Sequence, residues 1–167
     1  IKGAKKLGAN FLQIFPGSNI KTTLKYKNIL NEKKIKEIKS LLKKDKMKIV
    51  IHSILPLNLC SPISRRYRWN LDNLIYDLEY NVAIKGMGVV IHMGTWKTKN
   101  FKLSYEEAEK NYIKSITTVL KETKNLKSKI ILETSCNQPH KIGGTIEKFA
   151  RIYKKIPKKY CNRIGIC

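Results

Sequence analysis

Lys48-Ile-Val-Ile-His52, Gly88-Val-Val-Ile-His92 and Lys129-Ile-Ile-Leu-Glu133 decide the fold: three short apolar runs rich in β-branched residues, each closed by a side chain able to ligate a metal. None alternates apolar with polar residues, the pattern of strands covered on both faces, as in a parallel sheet flanked by helices. Two further runs, Phe11 to Phe15 and Arg163 to Cys167, stand before and after them. The segments between carry apolar residues three and four apart: Ile35, Ile38, Leu41 and Leu42; Leu71, Leu74, Ile75, Leu78 and Val82; Ala108, Tyr112, Ile116, Val119 and Leu120; Ile146, Phe149, Ala150 and Tyr153. That is a helical period. Ser104 and Glu107 have capping-box spacing ahead of the third helix, and Gly143 and Gly144 precede the fourth.

Strand and helix thus alternate without a linker, low-complexity stretch or composition shift. The expected fold is α/β, a partial TIM (β/α)8 barrel with about five parallel strands and four helices. The 167 residues fall short of the roughly 250 of a complete barrel. Ile1 to Leu7 reads as the tail of a helix closed by Gly8, and Cys167 falls inside a strand. The expectation is a single incomplete β/α-barrel domain over residues 1–167, truncated at both ends.

Lys plus Arg number 35 against 12 Asp plus Glu, a formal net charge of +23. An acidic or neutral surface is excluded, and 42% hydrophobic residues in tight runs exclude a disordered basic tail. Such an excess suits a phosphate polymer as partner. The competing reading is that a chain so rich in Lys, Ile and Asn reflects AT-rich coding. No run approaches the ~18 apolar residues of a membrane span, and the N-terminus lacks the apolar core of a signal peptide. Cys60, Cys136, Cys161 and Cys167 show no Cys-x-x-Cys spacing, which excludes a cysteine zinc knot. A soluble, intracellular protein with free thiols and no membrane association is expected, its compartment left open.

His52, His92 and Glu133 each occupy the last position of a strand, on three consecutive strands. In a parallel barrel all strand carboxyl ends open on one face, and neighbouring strands lie about 4.8 Å apart, so the three side chains can converge on one ion. Imidazole nitrogen and carboxylate oxygen suit zinc, and three protein ligands leave one position for water. A single histidine closing a strand is more often a hydrogen-bonded structural residue, but three candidate ligands at the same strand position weigh against that. His140, in a polar loop between Pro139 and Lys141, is expected to be solvated.

The motifs Gln13-Ile14-Phe15, His52 followed by Leu57-Asn58-Leu59 and Ser61-Pro62, His92-x-Gly94-Thr95, Leu132-Glu133, and Arg163-Ile164-Gly165-Ile166-Cys167 occur in the order and at the spacing of the endonuclease IV family, which the chain resembles over nearly its whole length. The resemblance implies a xylose-isomerase-like TIM barrel with up to three Zn2+ at the strand carboxyl ends. It further implies a DNA repair enzyme that cleaves 5′ to abasic sites with a zinc-bound hydroxide, acting on double-stranded DNA as a monomer when full length. Carried over residue by residue, it implies that His52 and His92 bind one zinc. Glu133 would bridge that zinc to a second and serve as a catalytic group. Ligands for one zinc are complete, whereas the family's later ligands would lie past Cys167, so the piece by itself is expected to be inactive. Within the matching region Pro16-Gly17-Ser18-Asn19-Ile20-Lys21 replaces the family's Asn-Pro-Arg-x-Trp stretch, Leu55 stands where many members have Tyr, and Glu133-Thr134-Ser135-Cys136-Asn137 replaces Glu-Asn-Thr-Ala-Gly.

DNA contact is expected from loops at the same strand ends. Lys21, Lys25 and Tyr26 lie in the first loop, and Trp96, Lys97 and Lys99 in the loop after the third run. Cations interleaved with aromatics suit a phosphate track with a stacking surface. The competing reading is a solvated basic loop whose Trp96 packs on its own scaffold. Two other functions stay open: a sugar-isomerase-like metal-dependent barrel, which shares the fold, and a non-catalytic DNA-binding remnant. The charge favours DNA.

Overall fold

A computed structural model describes residues 1–16, 32–135 and 137–167. The expected DNA contacts Lys21, Lys25 and Tyr26 lie outside the described residues, as does Cys136. Strands β1 (Phe11–Ile14), β2 (Lys48–His52), β3 (Val89–His92), β4 (Ile130–Glu133) and β5 (Ile164–Ile166) alternate with helices α1 (Lys2–Lys6), α2 (Glu32–Lys44), α3 (Arg65–Ala83), α4 (Tyr105–Glu122) and α5 (Ile146–Lys155). The strands form one sheet in chain order, every neighbouring pair parallel. This is the β/α alternation expected from the apolar runs.

The two outer runs are shorter than expected. Phe15 lies just past β1, and Arg163 belongs to a 3₁₀ turn, Lys158–Arg163, rather than to β5. Its guanidinium explains why: Nε donates to the Ser128 carbonyl at 2.7 Å and Nη1 to the Thr123 carbonyl at 2.8 Å. Thr123 is the C-cap of α4, so the arginine satisfies a carbonyl that the helix leaves without a partner.

The period of two divides each strand between two layers. Ile49, Ile51, Val89, Ile91, Ile130 and Leu132 pack against Leu74 and Leu78 of α3, Tyr112 and Ile116 of α4, and Ile152 of α5. Each of these large side chains, fully removed from water, contributes about 1.5–3 kcal/mol. The alternate positions, Val50 and His52, Val90 and His92, Ile131 and Glu133, belong to the opposite face of the sheet, the barrel lumen. Register then sets their heights. His92 pairs with Glu133, whereas His52 pairs with Val90. His52 therefore stands two residues back from His92, an even offset that keeps both on one face.

Caps and buried polar groups pin the helices. Ser104 and Glu107 form the expected capping box, with both reciprocal hydrogen bonds present. Helix α3 buries a polar stripe of Asn70, Asn73, Asp77 and Asn81. Asn81 donates to Ser128 Oγ at 2.8 Å and to the Gly86 carbonyl at 3.2 Å, while Asn70 grips the backbone of Asn58 at 2.8 and 3.2 Å. One helix thereby fastens loops at both ends of the sheet. Arg68 joins α3 to α4 by two 2.9 Å bonds to Glu122, and the buried Glu109 joins α4 to Arg151 and Lys155 of α5. Among the described residues no helix is long and apolar enough to cross a membrane.

Candidate metal centre

His52, His92 and Glu133 end β2, β3 and β4, and the structure brings together the three side chains picked out by their strand position. One potential ligand atom from each lies within 4.8 Å of the others. Glu133 Oε2 is 3.1 Å from His92 Nε2 and 3.4 Å from His52 Nε2. Tetrahedral coordination at zinc–ligand distances of ~2.1 Å separates ligand atoms by about 3.4 Å. The spacing fits.

The protonation of His52 fits as well. Its Nδ1 lies 2.7 Å from the Ser53 carbonyl, which can only accept, so Nδ1 carries the proton and the neutral ring turns the Nε2 lone pair toward Glu133. A lone pair facing a carboxylate oxygen needs a cation between them. The Ser53 amide donates to the Val90 carbonyl at 2.9 Å, and its hydroxyl donates to Asp77 Oδ2 at 2.6 Å. This outer layer fixes the imidazole, a role commonly filled behind metal-ligating histidines. Burial lowers the pKa of His92, the charges of His52 and Lys141 add to that, and Glu133 opposes it. The neutral imidazole so favoured is the form that binds a metal. Phe15 and His92 pack their rings 4.9 and 4.8 Å from that of His52, excluding water from its side of the cluster.

Two loops frame the centre. Asn58 Oδ1 accepts from the amides of Cys60 and Thr95, both at 3.1 Å, and its Nδ2 donates to the Thr95 carbonyl at 3.0 Å. The loop after β2 is thus tied to the loop after β3. Gly94 is where they meet: a Cβ there would fall 2.3 Å from Cys60 Sγ and 2.7 Å from Asn58 Oδ1. Only glycine allows that approach.

The expected DNA contacts that the structure describes, Trp96, Lys97 and Lys99, lie on an excursion closed by the Thr98 amide donating to the Phe101 carbonyl at 2.8 Å. Lys97 and Lys99 are exposed, whereas Trp96 is half-buried and packs against the core. Its ring stands edge-on to His140 at 4.5 Å. His140 is therefore not the solvated loop residue expected. Its carbonyl accepts from the Trp96 amide at 2.8 Å and the Thr95 hydroxyl at 2.7 Å, which draws the loop after β4 onto the loop after β3.

Sequence reasoning missed Asp77, whose carboxylate sits on an otherwise apolar helix flank, and Lys141, which nothing in the local sequence sets apart from the other lysines.

The sequence profile of the xylose isomerase-like TIM barrel family matches residues 1–167. The chain belongs to that family. Among curated relatives, a probable endonuclease 4 of Aster yellows witches'-broom phytoplasma (strain AYWB) is 27% identical over 170 residues, spanning 100% of this chain and 55% of the relative. The chain spans about half the length of the curated relatives it matches. Within the family the solved structure of endonuclease IV from Thermus thermophilus superposes with a TM-score of 0.69 at 17% identity, over 99% of this chain and 55% of that one. A D-psicose 3-epimerase from Clostridium cellulolyticum superposes with a TM-score of 0.74 at 13% identity, over 99% and 55%. At these identities the two structures establish the shared barrel fold and nothing finer.

Proposed function

We propose that the protein is a zinc-dependent DNA repair endonuclease that cleaves double-stranded DNA 5′ to abasic sites, acting inside the cell as a monomer. The observation that carries this reading is the convergence of His52, His92 and Glu133 at three adjacent strand ends, in a chain whose curated relatives are named probable endonuclease 4.

His52 and His92 would hold the metal through Nε2, with the Ser53 carbonyl keeping the His52 proton on the far nitrogen. A zinc-class ion supplies Lewis acidity, which polarises a phosphoryl group and acidifies water at neutral pH. Glu133, half-buried beside both rings, completes the ligand set and is placed to take a proton from water at the scissile phosphate. Lys97 and Lys99 stand exposed on the same face to track phosphates, and Lys21, Lys25 and Tyr26 extend the proposed contact. Selectivity for a missing base follows from unstacking, which costs least where no base is stacked.

The epimerase likeness favours a second reading, a metal-dependent enzyme acting on a free sugar. The net charge of +23 weighs against it, since a neutral sugar gains nothing from such a field. The deciding experiment incubates the zinc-loaded protein, expressed from its complete reading frame, with an abasic duplex and separately with a ketohexose. Chelator-sensitive nicking 5′ to the lesion supports the nuclease. Epimerised sugar with intact DNA overturns it.

A further inference from the structure

Lys141 has an unusual station. Its backbone is held on both sides against the loop after β3: the Trp96 amide donates to the His140 carbonyl at 2.8 Å, and the Ile142 amide donates to the Gly94 carbonyl at 3.0 Å. The side chain is half-buried, and Nζ reaches the Met93 carbonyl at 3.4 Å. It forms no ion pair among the described residues. Its ammonium also lies close enough to the His92 ring to disfavour protonation there.

The same side chain lines a cavity of about 120 Å³ together with His92, Glu133, Thr134, Ser135 and Gln138. That is about four water volumes, room for a single tetrahedral oxyanion. A fixed ammonium beside a metal-ligating imidazole repels the ion that the imidazole is there to bind. The repulsion is relieved when an anion lies between the two positive charges, and a half-buried ammonium forms stronger hydrogen bonds to a charged acceptor than to a carbonyl.

We propose that Lys141 and the cavity it shares with His92 and Glu133 form an oxyanion subsite that grips a phosphate group beside the metal ligands. On the nuclease reading, on which the identity of the ligand rests, that phosphate is a phosphodiester of the abasic strand, held by a non-bridging oxygen.

The test uses zinc-loaded protein from the complete reading frame and two probes. Inorganic phosphate is titrated calorimetrically, and a duplex carrying a tetrahydrofuran abasic analogue is titrated by fluorescence anisotropy and assayed for cleavage. Lys141→Met is expected to weaken phosphate binding by about tenfold or more, the cost of losing a hydrogen bond to a charged group. Lys141→Arg is expected to restore most of it. Zinc stoichiometry and melting temperature should stay at parental values, and Lys141→Gln repeats the measurement if the methionine variant melts early. Unchanged phosphate affinity, a parent that binds no phosphate, or loss of zinc in both neutral variants overturns the subsite. Phosphate binding that depends on Lys141, in a parent that neither binds nor cuts the abasic duplex, leaves the subsite standing and overturns the nuclease reading.

Discussion

His92 and Glu133 face each other directly across the β3–β4 ladder, with Nε2 3.1 Å from Oε2. Directly paired residues on one face of a sheet have their side chains side by side, so this contact is a product of strand register. His52 joins from two residues further back and closes the triangle.

That triangle should bind zinc and be stabilised by it. A ligand that binds only the folded chain adds about 4 kcal/mol at a thousandfold excess over its Kd. Zinc is expected to raise the melting midpoint of the parent, and the double change His52→Ala, His92→Ala should abolish both the bound zinc and the shift. Elemental analysis and a melt with and without chelator check this. Unchanged stoichiometry would remove these residues from the metal centre.

The junction at Gly94 should tolerate no side chain. Gly94→Ala forces a methyl against Cys60 Sγ and Asn58 Oδ1, an overpacking expected to cost about 1–3 kcal/mol. Asn58→Ala leaves the Cys60 and Thr95 amides without their acceptor and should cost about the same. Because the two residues touch, the double variant should lose less than the sum. Denaturant midpoints measure all three, and strict additivity would contradict the contact.

Glu109 should govern the acid limb of stability. Burial alone would raise its pKa, but hydrogen bonds and charge from Lys155 and Arg151 outweigh that and hold it below the usual 4.5. A carboxyl depressed in the folded state contributes stability that is present above its unfolded pKa and is lost as pH falls through the folded value. Glu109→Gln is expected to cost about 1–3 kcal/mol near neutrality, since the partner cations are themselves half-exposed. The gap between variant and parent should shrink progressively below pH 4.5. Urea midpoints across that range test the sign.

DNA binding should be electrostatic at the excursion after β3. Replacing Lys97 and Lys99 by Ala is expected to flatten the slope of log affinity against log salt by about one unit per lost phosphate contact. A slope that stays put would make the charge there merely solvating.

The parallel β/α order, the ends of β2, β3 and β4, and the capping box at Ser104 were all legible in the sequence. Their causes are local: apolar runs without alternation, helical spacing, and a cap three residues from its partner. The stripe of Asn70, Asn73, Asp77 and Asn81 has a helical spacing that can also be read along the chain. Yet it borders Leu71, Leu74 and Leu78, and spacing alone does not tell that both flanks are buried. The first strand-end loop carries cations as plainly, but Lys21, Lys25 and Tyr26 fall outside the described residues.

By itself the sequence determined which residues could ligate a metal and that they end strands opening on one face, because strand period and chain order require no knowledge of distant partners. Tertiary structure alone decided the two-residue stagger of His52, the closure of Gly94 onto Cys60, and the placing of Lys141 over Met93, 48 positions away in the chain. Those depend on register between strands some forty residues apart and on hydrogen bonds between separate loops. Such pairings are selected by packing of the whole sheet against its helices and leave no periodic trace in the residues that make them.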